Sequence, residues 1–314
     1  MNDELHVLFG AGQVGQSLAQ RLLAAGKRVR IARRSSQGIP PGTEAMAGDA
    51  ADPAFCLRAA EGATVVYHCM NPPYDAAVWA EVLPRLMRNL IAAAGRAQAR
   101  LVVLDNLYML GRPQGSRIDE LSPISPCSRK GEVRAEVAEL LFAAHRRGEV
   151  QATVGRASDF YGPGGAATFV GDHFWPAALA GKTVRLPFDP DAVHTYHYIP
   201  DVAAGLAALG GAEADVCGRP WMLPCAPAGS LRQLVARFAP HLVRDIHLAR
   251  IPGWVLGAAA VFSPLLREVN EMRYQWQEPF VVEDSRFRAR FGLAPGDADE
   301  AASATVAWAR QHYA

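Results

Sequence analysis

Residues 5–15 read LHVLFGAGQVG, and this stretch decides the fold. Its first five residues are an apolar run typical of a buried parallel strand, and its glycines have the spacing G-x-G-x-x-G. A helical pattern follows at 14–25, so the glycines lie where a strand turns into a helix. A dinucleotide-binding fold needs glycine there for the tight turn, for close approach of a diphosphate and for helix packing. The alternative is that these glycines serve the turn alone.

The N-terminal half of the chain repeats this alternation of strand and helix. Apolar runs that predict strands lie at 5–9, 28–32, 44–47, 64–68, 101–104 and 150–155. Longer helical patterns lie at 14–25, 76–94 and 130–145. Strands that are apolar throughout are covered on both faces, so the pattern predicts a doubly wound parallel sheet of the α/β, or Rossmann, class.

The alternation ends after Gly155, where glycine- and proline-rich segments such as 161–165 predict loops. A short strand at 195–199, followed by a helix that Asp201 is placed to cap, is assigned to the first domain. Helical patterns that predict a second, smaller unit follow at 231–238, 254–262 and 265–274. We therefore expect a cofactor-binding domain at 1–165 and 192–211, and a substrate-binding cap at 166–191 and 212–314.

The composition argues against several classes of protein. Half of the 314 residues are apolar, and 32 basic against 31 acidic residues leave a formal charge of +1, so no net field favours nucleic acid or an anionic membrane. The five cysteines are odd in number and form no C-x-x-C pair, which is typical of free thiols in a reducing compartment. The apolar stretch at 253–262 is about half of the ~20 residues that a membrane span needs. With no secretory pattern at the N-terminus, we expect a cytoplasmic protein without a metal site.

A second signal for a nucleotide cofactor is the pair Arg33 and Arg34 at the end of the second strand. An NAD enzyme places Asp or Glu there on the ribose 2′-hydroxyl, whereas a guanidinium group binds a 2′-phosphate. The pair therefore favours NADP(H), unless both are only exposed surface arginines. At the end of the third strand, Asp49 either accepts a hydrogen bond from the adenine amino group or caps the next helix.

In these features the chain resembles the extended short-chain dehydrogenase/reductases, also called the NAD-dependent epimerase/dehydratase family, over roughly residues 1–210. The resemblance is carried by GAGQVG at 10–15, the Asp49 segment, VVYHCM at 65–70, the phrase at 156–164 with its YGPG, and YHYIPDVA at 196–203. It implies a cap over the nicotinamide end of the cleft and a homodimer through the helices at 76–94 and 130–145. The predicted cofactor-binding residues are Gly10, Gly12, Gln13, Val14, Gly15, Arg33, Arg34, Asp49, Ala50, Met70, Asn71, Lys130, Ala157 and Ser158.

The family's proton relay is missing. Members carry Ser or Thr after the fifth strand and Tyr-x-x-x-Lys on the next helix, and the serine position here is most simply Asn106, whose amide still hydrogen-bonds a carbonyl. One alignment of SPCSRKGE, residues 125–132, puts Cys127 and Gly131 at the tyrosine and lysine positions, and the other puts Ser128 and Glu132 there. Neither yields the pair, although Lys130 lies one residue from the expected lysine.

Other side chains are candidates for the lost role. Tyr108 is either an acid whose pKa Lys130 lowers or an aromatic packed beneath the cap, and Cys127 is either a reactive thiol near a helix start or an inert small side chain. His68 and His197 fall in strand phrases typical of the core, whereas His173 and His194 are too loosely placed for a role. Trp79, Trp175, Trp221 and Trp276 either line an apolar pocket or belong to the core. The predicted catalytic residues are Asn106, Tyr108, Cys127 and Lys130.

These observations predict an NADP(H)-dependent oxidoreductase that acts on a carbonyl/alcohol pair of a small molecule. Two alternatives stay open. One is an epimerase or dehydratase that oxidises its substrate transiently, and the other is a non-catalytic NADP(H)-binding sensor, suggested by the lost relay.

Overall fold

The structure, a computed structural model, describes residues 4–314. Its strands are β1 (Leu5–Phe9), β2 (Arg28–Arg33), β3 (Glu44–Ala47), β4 (Val65–His68), β5 (Arg100–Asp105), β6 (Gln151–Arg156), β7 (Asp159–Tyr161), β8 (Val184–Leu186), β9 (Val193–His194), β10 (Tyr196–Tyr198), β11 (Pro220–Met222), β12 (Gly229–Ser230) and β13 (Leu248–Arg250). Its α-helices are α1 (Gln13–Ala24), α2 (Pro53–Ala60), α3 (Ala76–Arg96), α4 (Arg129–Arg146), α5 (Trp175–Leu179), α6 (Ile199–Gly211), α7 (Leu231–Ala236), α8 (Ala239–Leu242), α9 (Gly253–Phe262), α10 (Pro264–Glu271), α11 (Ser285–Phe291) and α12 (Ala298–Tyr313). Short 3₁₀ turns lie at Tyr108–Leu110, Ala214–Val216 and Arg273–Trp276.

Seven strands form one parallel sheet in the order β11-β6-β5-β4-β1-β2-β3. The chain therefore runs outward from β1 in one direction through β2 and β3, and in the other direction from β4 onward. The reversal lies between β1 and β4, and ligands of open α/β sheets bind outside the carboxyl ends of the strands at such a point. The predicted doubly wound Rossmann sheet is confirmed.

The alternating side chains of β1 divide between two hydrophobic cores. Val7 and Phe9 pack with α2, α3 and α4 on one face of the sheet, whereas Leu8 packs with α1 and α6 on the other. Because both faces are covered, each strand of the centre is apolar throughout, as its sequence indicates.

The cap has its own hydrophobic core, in which α5, α7, α8 and α12 pack together with β8. The seventh strand of the main sheet, β11, comes from the part of the chain for which the sequence predicts only cap. It pairs in parallel with β6 at the edge of the sheet. A three-residue strand with Pro220 at its start gives little periodic signal, so sequence patterns miss it. Among residues 4–314, no helix combines the length and the apolar character that crossing a bilayer requires.

The strand predicted at 195–199 is present as β10, which pairs with β7 outside the main sheet. Thr195 lies just before it, where its backbone N–H donates to the Phe280 carbonyl and its hydroxyl accepts from the Val282 N–H. The prediction of Asp201 as the cap of the next helix is wrong. The predicted cap Asp201 lies inside the first turn of α6, which begins at Ile199, and its carboxylate accepts from the Gly296 N–H at 3.1 Å.

Candidate cofactor and active site

The glycine loop connects β1 to α1 at the point where the strand order reverses. Gly10 has a φ of +100°, which favours glycine, and a Cβ built there would lie 2.8 Å from Met70 Cγ and 2.9 Å from the Cys69 carbonyl. A Cβ on Gly15 would lie 2.2 Å from the Gly10 carbonyl oxygen. Both positions therefore require glycine for packing, and this brings the start of α1 against the end of β4.

The start of α1 is open toward a cleft. Gly12 is the N-cap residue, no side chain caps the helix, and no atom lies within 4 Å of a Cβ built on Gly12. The first turn carries no acidic side chain, and Gly12, Gln13 and Val14 line the cleft. The N–H groups of this turn and the helix dipole thus face open space, an arrangement that fits a diphosphate.

Arg33 and Arg34 lie beside this loop at the end of β2. Arg33 is half-buried and Arg34 is exposed, and within residues 4–314 neither guanidinium group has an ion-pair partner. Arg30, on the same strand, differs because its guanidinium group contacts Glu44 Oε1 at 2.9 Å and two backbone carbonyls. Two cations without an ion-pair partner, close in the fold to the glycine loop, suit a second phosphate.

The segment after β3 decides one of the alternatives for Asp49. Its carboxylate accepts from the Ala51 N–H at 2.9 Å, and the N-cap residue of α2 is Asp52, whose side chain accepts from the Ala54 N–H. The prediction of Asp49 as the helix cap is therefore wrong. Ala50 is buried, and its carbonyl accepts from Asn89 Nδ2.

A cleft of about 760 Å³ lies between the carboxyl ends of the main sheet and the cap. Of the predicted site residues, it is lined by Gly12, Gln13, Val14, Met70, Asn71, Asn106, Tyr108 and Ser158. Aromatic rings form much of the remaining wall, contributed by Tyr74, Trp79, Phe160 and Phe169. Trp79 thus serves both as core and as pocket wall, whereas Trp175, Trp221 and Trp276 are buried outside that lining.

Arg134, which the sequence analysis missed, is the buried cation of the cleft. Its guanidinium group donates to Asn71 Oδ1 at 2.6 Å, contacts Asp105 Oδ1 at 3.3 Å, and stacks over the Trp79 ring at 4.6 Å. Burial raises the pKa of Asp105, although Arg134 and Arg156 counteract the effect. The signal in the sequence was an arginine in the second turn of the helix that follows Ser128.

Asn106 and Tyr108 lie together after β5. The Asn106 side-chain oxygen accepts from the Tyr108 N–H at 3.0 Å, and the Tyr108 ring stacks on Trp79 with its hydroxyl 3.3 Å from that of Tyr74. Burial, with the negative charge of Asp159, raises the pKa of Tyr108 to about 12. The prediction that Lys130 lowers this pKa is wrong, because the phenol is buried and Lys130 is bound elsewhere.

Lys130 is fully buried and its ammonium group contacts the cap. It donates to a carboxylate oxygen and to the backbone carbonyl of Glu268, and to Glu271 Oε2 at 3.0 Å, which accounts for its three hydrogens. It also lies 4.7 Å from the centre of the Tyr74 ring. The structure therefore places Lys130 behind the wall of the cleft, as a link between α4 and α10.

The packing of α4 leaves no space for the family's lysine in one of the two alignments. In the register that puts Cys127 at the tyrosine position, the lysine position is Gly131, and a Cβ there would lie 2.5 Å from the Tyr108 carbonyl oxygen. No side chain fits against that backbone. Cys127 is exposed, precedes the N-cap residue Ser128, and lies outside the cleft lining.

Two of the predicted core histidines lie just behind the cleft. His68 accepts from the Met70 N–H, and His197 lies with its Nδ1 3.2 Å from the Ser158 nitrogen and 3.0 Å from the Ser158 hydroxyl. Burial lowers the pKa of each to about 3, with help from the charge of Arg134 at His68 and of His194 at His197. The expectation of hydrogen-bonded core histidines is confirmed. Ala157, next to Ser158, is buried and does not line the cleft.

A contact between an aspartate and a histidine at the cleft was also missed. Asp159 lines it, and its Oδ2 lies 2.8 Å from Nε2 of the fully buried His194. Gln275 from the cap and the exposed His173 complete the polar lining on this side. The signal available was an aspartate directly after Ala157-Ser158, a phrase that the family resemblance places at the nicotinamide ribose.

Residues 7–223 match the sequence profile of the NAD dependent epimerase/dehydratase family. The match spans more than half of the chain. The chain belongs to this family. Its members are enzymes of the epimerase, dehydratase or oxidoreductase kind, so the resemblance carried by the glycine loop and the YGPG phrase is confirmed. Comparison with curated protein sequences gives no match.

Solved structures of the family share the fold along nearly the whole chain. UDP-glucose 4-epimerase of Thermus thermophilus, in complex with NAD, is 19% identical with a TM-score of 0.75, covering 98% of this chain and 99% of its own. UDP-glucuronic acid 4-epimerase of Bacillus cereus, in complex with UDP-glucuronic acid and NAD, is 14% identical with a TM-score of 0.79, covering 98% and 100%. dTDP-glucose 4,6-dehydratase of Bacillus anthracis str. Ames, in complex with NAD, is 13% identical with a TM-score of 0.78, covering 98% and 97%. At these identities the likeness is one of fold.

Proposed function

We propose that this chain binds NADP(H) and interconverts a carbonyl and an alcohol on a small molecule. The observation that carries the proposal is the pair of uncommitted guanidinium groups, Arg33 and Arg34, beside the uncapped helix start at Gly12. The helix start would hold the diphosphate and the arginines the 2′-phosphate. Asp49 and Ala50 would lie at the adenine, and Met70, Asn71, Ala157 and Ser158 near the nicotinamide end, as the resemblance implies.

The remaining cleft suits a small substrate. When bound, the cofactor supplies or accepts the hydride. Because the Asn106 oxygen is held by the Tyr108 N–H, the amide nitrogen is the part left to donate to a substrate oxygen. Tyr108, with its pKa raised to about 12, stays protonated at neutral pH and can donate a second hydrogen bond.

The decisive experiment separates NADPH from NADH. In the double variant Arg33→Ala/Arg34→Ala, we expect NADPH affinity to fall by about 100-fold, from the loss of two charge-assisted contacts, with NADH affinity changed by less than about threefold. The matched control is Arg30→Ala, which removes a neighbouring arginine that is already paired with Glu44 and should leave the NADPH/NADH ratio unchanged. Equal losses for both cofactors would remove the NADP(H) assignment, and an absence of binding heat with either cofactor would remove the function.

A second candidate, transient oxidation within an epimerase or dehydratase, is favoured by the solved neighbours, two of which are epimerases of sugar nucleotides. A nucleoside diphosphate substrate would need cations along the cleft to bind its phosphates. Among the described cleft-lining residues, only Arg134 and His173 carry a side chain that can be cationic, which argues against such a substrate. A panel of aliphatic and aromatic ketones, aldehydes and alcohols, with UDP-glucose included, distinguishes the candidates by net change in NADPH absorbance. Binding without any turnover would favour the sensor. The homodimer through α3 and α4 stays a prediction for size-exclusion chromatography with light scattering.

A further inference from the structure

Helix α9 is apolar on every side, although one of its faces is exposed. Residues 251–266 read IPGWVLGAAAVFSPLL and include no charged side chain. Trp254, Val261 and Phe262 are 78%, 73% and 89% exposed, whereas Leu256 on the opposite side of the helix is buried. The spacing i, i+7 and i+8 puts the three exposed side chains on one side, which we call the α9 face. Helices that are apolar all round are normally buried, so this face indicates a surface that covers it.

Arginines without a carboxylate partner among residues 4–314 lie near both ends of α9. Arg185 is exposed on β8, which pairs with β13, the strand that leads into α9. Arg267 is exposed in α10, the helix that follows α9. The Arg273 guanidinium group lies 3.5 Å from a Cβ built on Gly253, the first residue of α9. The α9 face is therefore flanked by cations.

The carboxylates of this region do not neutralise these arginines. Each already has a cationic neighbour: Glu268 and Glu271 contact Lys130, Asp189 contacts Arg250, and Asp245 follows Arg244 in the chain. Exposed charges act over about 10 Å at ~0.1 M salt. The local excess of arginine therefore decides what approaches α9, although the net charge of the whole chain is only +1.

A protein partner, including a second copy of this chain, matches the α9 face poorly. Protein interfaces make about one hydrogen bond per 100–200 Å². In residues 251–262, however, the indole N–H of Trp254 is the only side-chain donor or acceptor. A second copy related by a two-fold axis would also place arginine against arginine, because Arg250 precedes α9 and Arg267 follows it. A lipid surface needs no hydrogen bonds from a helix, whose backbone groups are paired internally.

We propose that α9 docks this protein on an anionic lipid surface, with the α9 face among the acyl chains and Arg185, Arg267 and Arg273 at the phosphate groups. A helix of this length is too short to span a bilayer and lies in the plane of its surface. The apolar surface continues into the cleft, because Leu265, which is 52% exposed, and Val269 line the cleft from α10. Docking therefore brings the mouth of the cleft to the lipid. It does not depend on the cofactor or the reaction proposed above.

Co-sedimentation of the full chain with vesicles tests the apolar contact and the charges separately. We expect binding to phosphatidylcholine vesicles that contain about 30% phosphatidylglycerol, weakened by salt. Phe262→Asp should lower the partition coefficient by about tenfold or more. The control Leu121→Asp, at a 69% exposed leucine beside β11 and α11, should leave it unchanged. No binding of the native chain, or equal binding of Phe262→Asp and Leu121→Asp, overturns the proposal.

The arginines are tested on the same vesicles. Arg185→Gln/Arg267→Gln should lower the partition coefficient by about fivefold per arginine on the mixed vesicles. On vesicles of phosphatidylcholine alone, the double variant and the native chain should bind equally. An unaltered partition coefficient on the mixed vesicles overturns the choice of an anionic surface.

Two further measurements separate insertion into lipid from other ways of covering the α9 face. Lipids brominated in the acyl chain should quench part of the tryptophan fluorescence. This quenching should disappear in Trp254→Phe and persist in Trp308→Phe, at a half-buried tryptophan of α12. Quenching that survives Trp254→Phe overturns insertion. Light scattering should give Phe262→Asp the same mass as the native chain, and a native mass that Phe262→Asp halves shows a second copy on the α9 face and overturns the proposal.

Discussion

The glycine loop and the side of the cleft next to the cap depend on the chain in opposite ways. The loop is six consecutive residues, and its shape follows from backbone contacts such as that between Gly10 and Gly15. On the other side, Lys130, Asp159 and His194 each depend on a partner that is far away in the sequence. A cofactor site of the first kind persists as long as its turn does, whereas a set of contacts of the second kind can be rebuilt from different side chains.

The largest effect that sharpens this comparison is expected at Lys130. Its ammonium group neutralises Glu268, which is 7% exposed, so Lys130→Met leaves a buried carboxylate with the half-exposed Arg129 as its charged partner and the Ala76 N–H as a neutral donor. We expect the free energy of unfolding to fall by about 3 kcal/mol, with NADPH affinity of the folded protein changed by less than about threefold. Urea denaturation and fluorescence titration measure the two quantities.

The control for this variant is Lys130→Met/Glu268→Leu, which removes both charges and should recover most of the lost stability. A tenfold weaker NADPH affinity with unaltered unfolding energy would show instead that Lys130 binds the cofactor ribose.

The next effect concerns the loop. Gly15→Ala places a methyl group 2.2 Å from the Gly10 carbonyl oxygen, a backbone atom that cannot rotate away. We expect a loss of roughly 2 to 3 kcal/mol in unfolding energy from overpacking, together with NADPH binding weakened by more than 100-fold, as the loop must shift. Gly12→Ala is the matched control, since its Cβ meets nothing within 4 Å, and its unfolding energy should stay within about 1 kcal/mol of the native value. Equal unfolding free energies of the two variants would mean that the contact between Gly15 and the Gly10 carbonyl does not hold the loop.

How much the sequence reveals follows the same division. The doubly wound parallel sheet, the loop and the place of Arg33 at the end of β2 were predictable, because they depend on the local period of apolar residues and on glycine at a turn. The Asp159–His194 contact joins residues 35 positions apart through a short strand pair, and no periodic pattern encodes it. The sequence shows that neither alignment has the family's lysine, at Gly131 or at Glu132, but only the structure shows that the Tyr108 carbonyl occupies the space beside Gly131.

Lowering the pH should reduce the free energy of unfolding through a buried histidine on each side of the cleft. Each of these losses should be smaller than those expected for the two substitutions above. His68 lies behind the cofactor side and His197 behind Ser158, and burial is the first cause that lowers the pKa of each from 6.5 to about 3. Between these values the unfolded chain binds more protons than the folded one, so stability is present above pH 6.5 and is lost as the pH falls. Each histidine then costs about 2 kcal/mol between pH 7 and pH 5.

Replacing one histidine at a time separates the two sides. His68→Asn and His197→Asn should each remove about one bound proton from the difference between the unfolded and folded states, measured as the slope of unfolding free energy against pH from 7 to 5. The slope that remains in His197→Asn would then come from His68 on the cofactor side. The slope that remains in His68→Asn would come from His197 on the substrate side. A native slope near zero would mean that both rings are protonated in the folded protein, which the Met70 N–H donated to His68 and the Ser158 N–H donated to His197 do not favour.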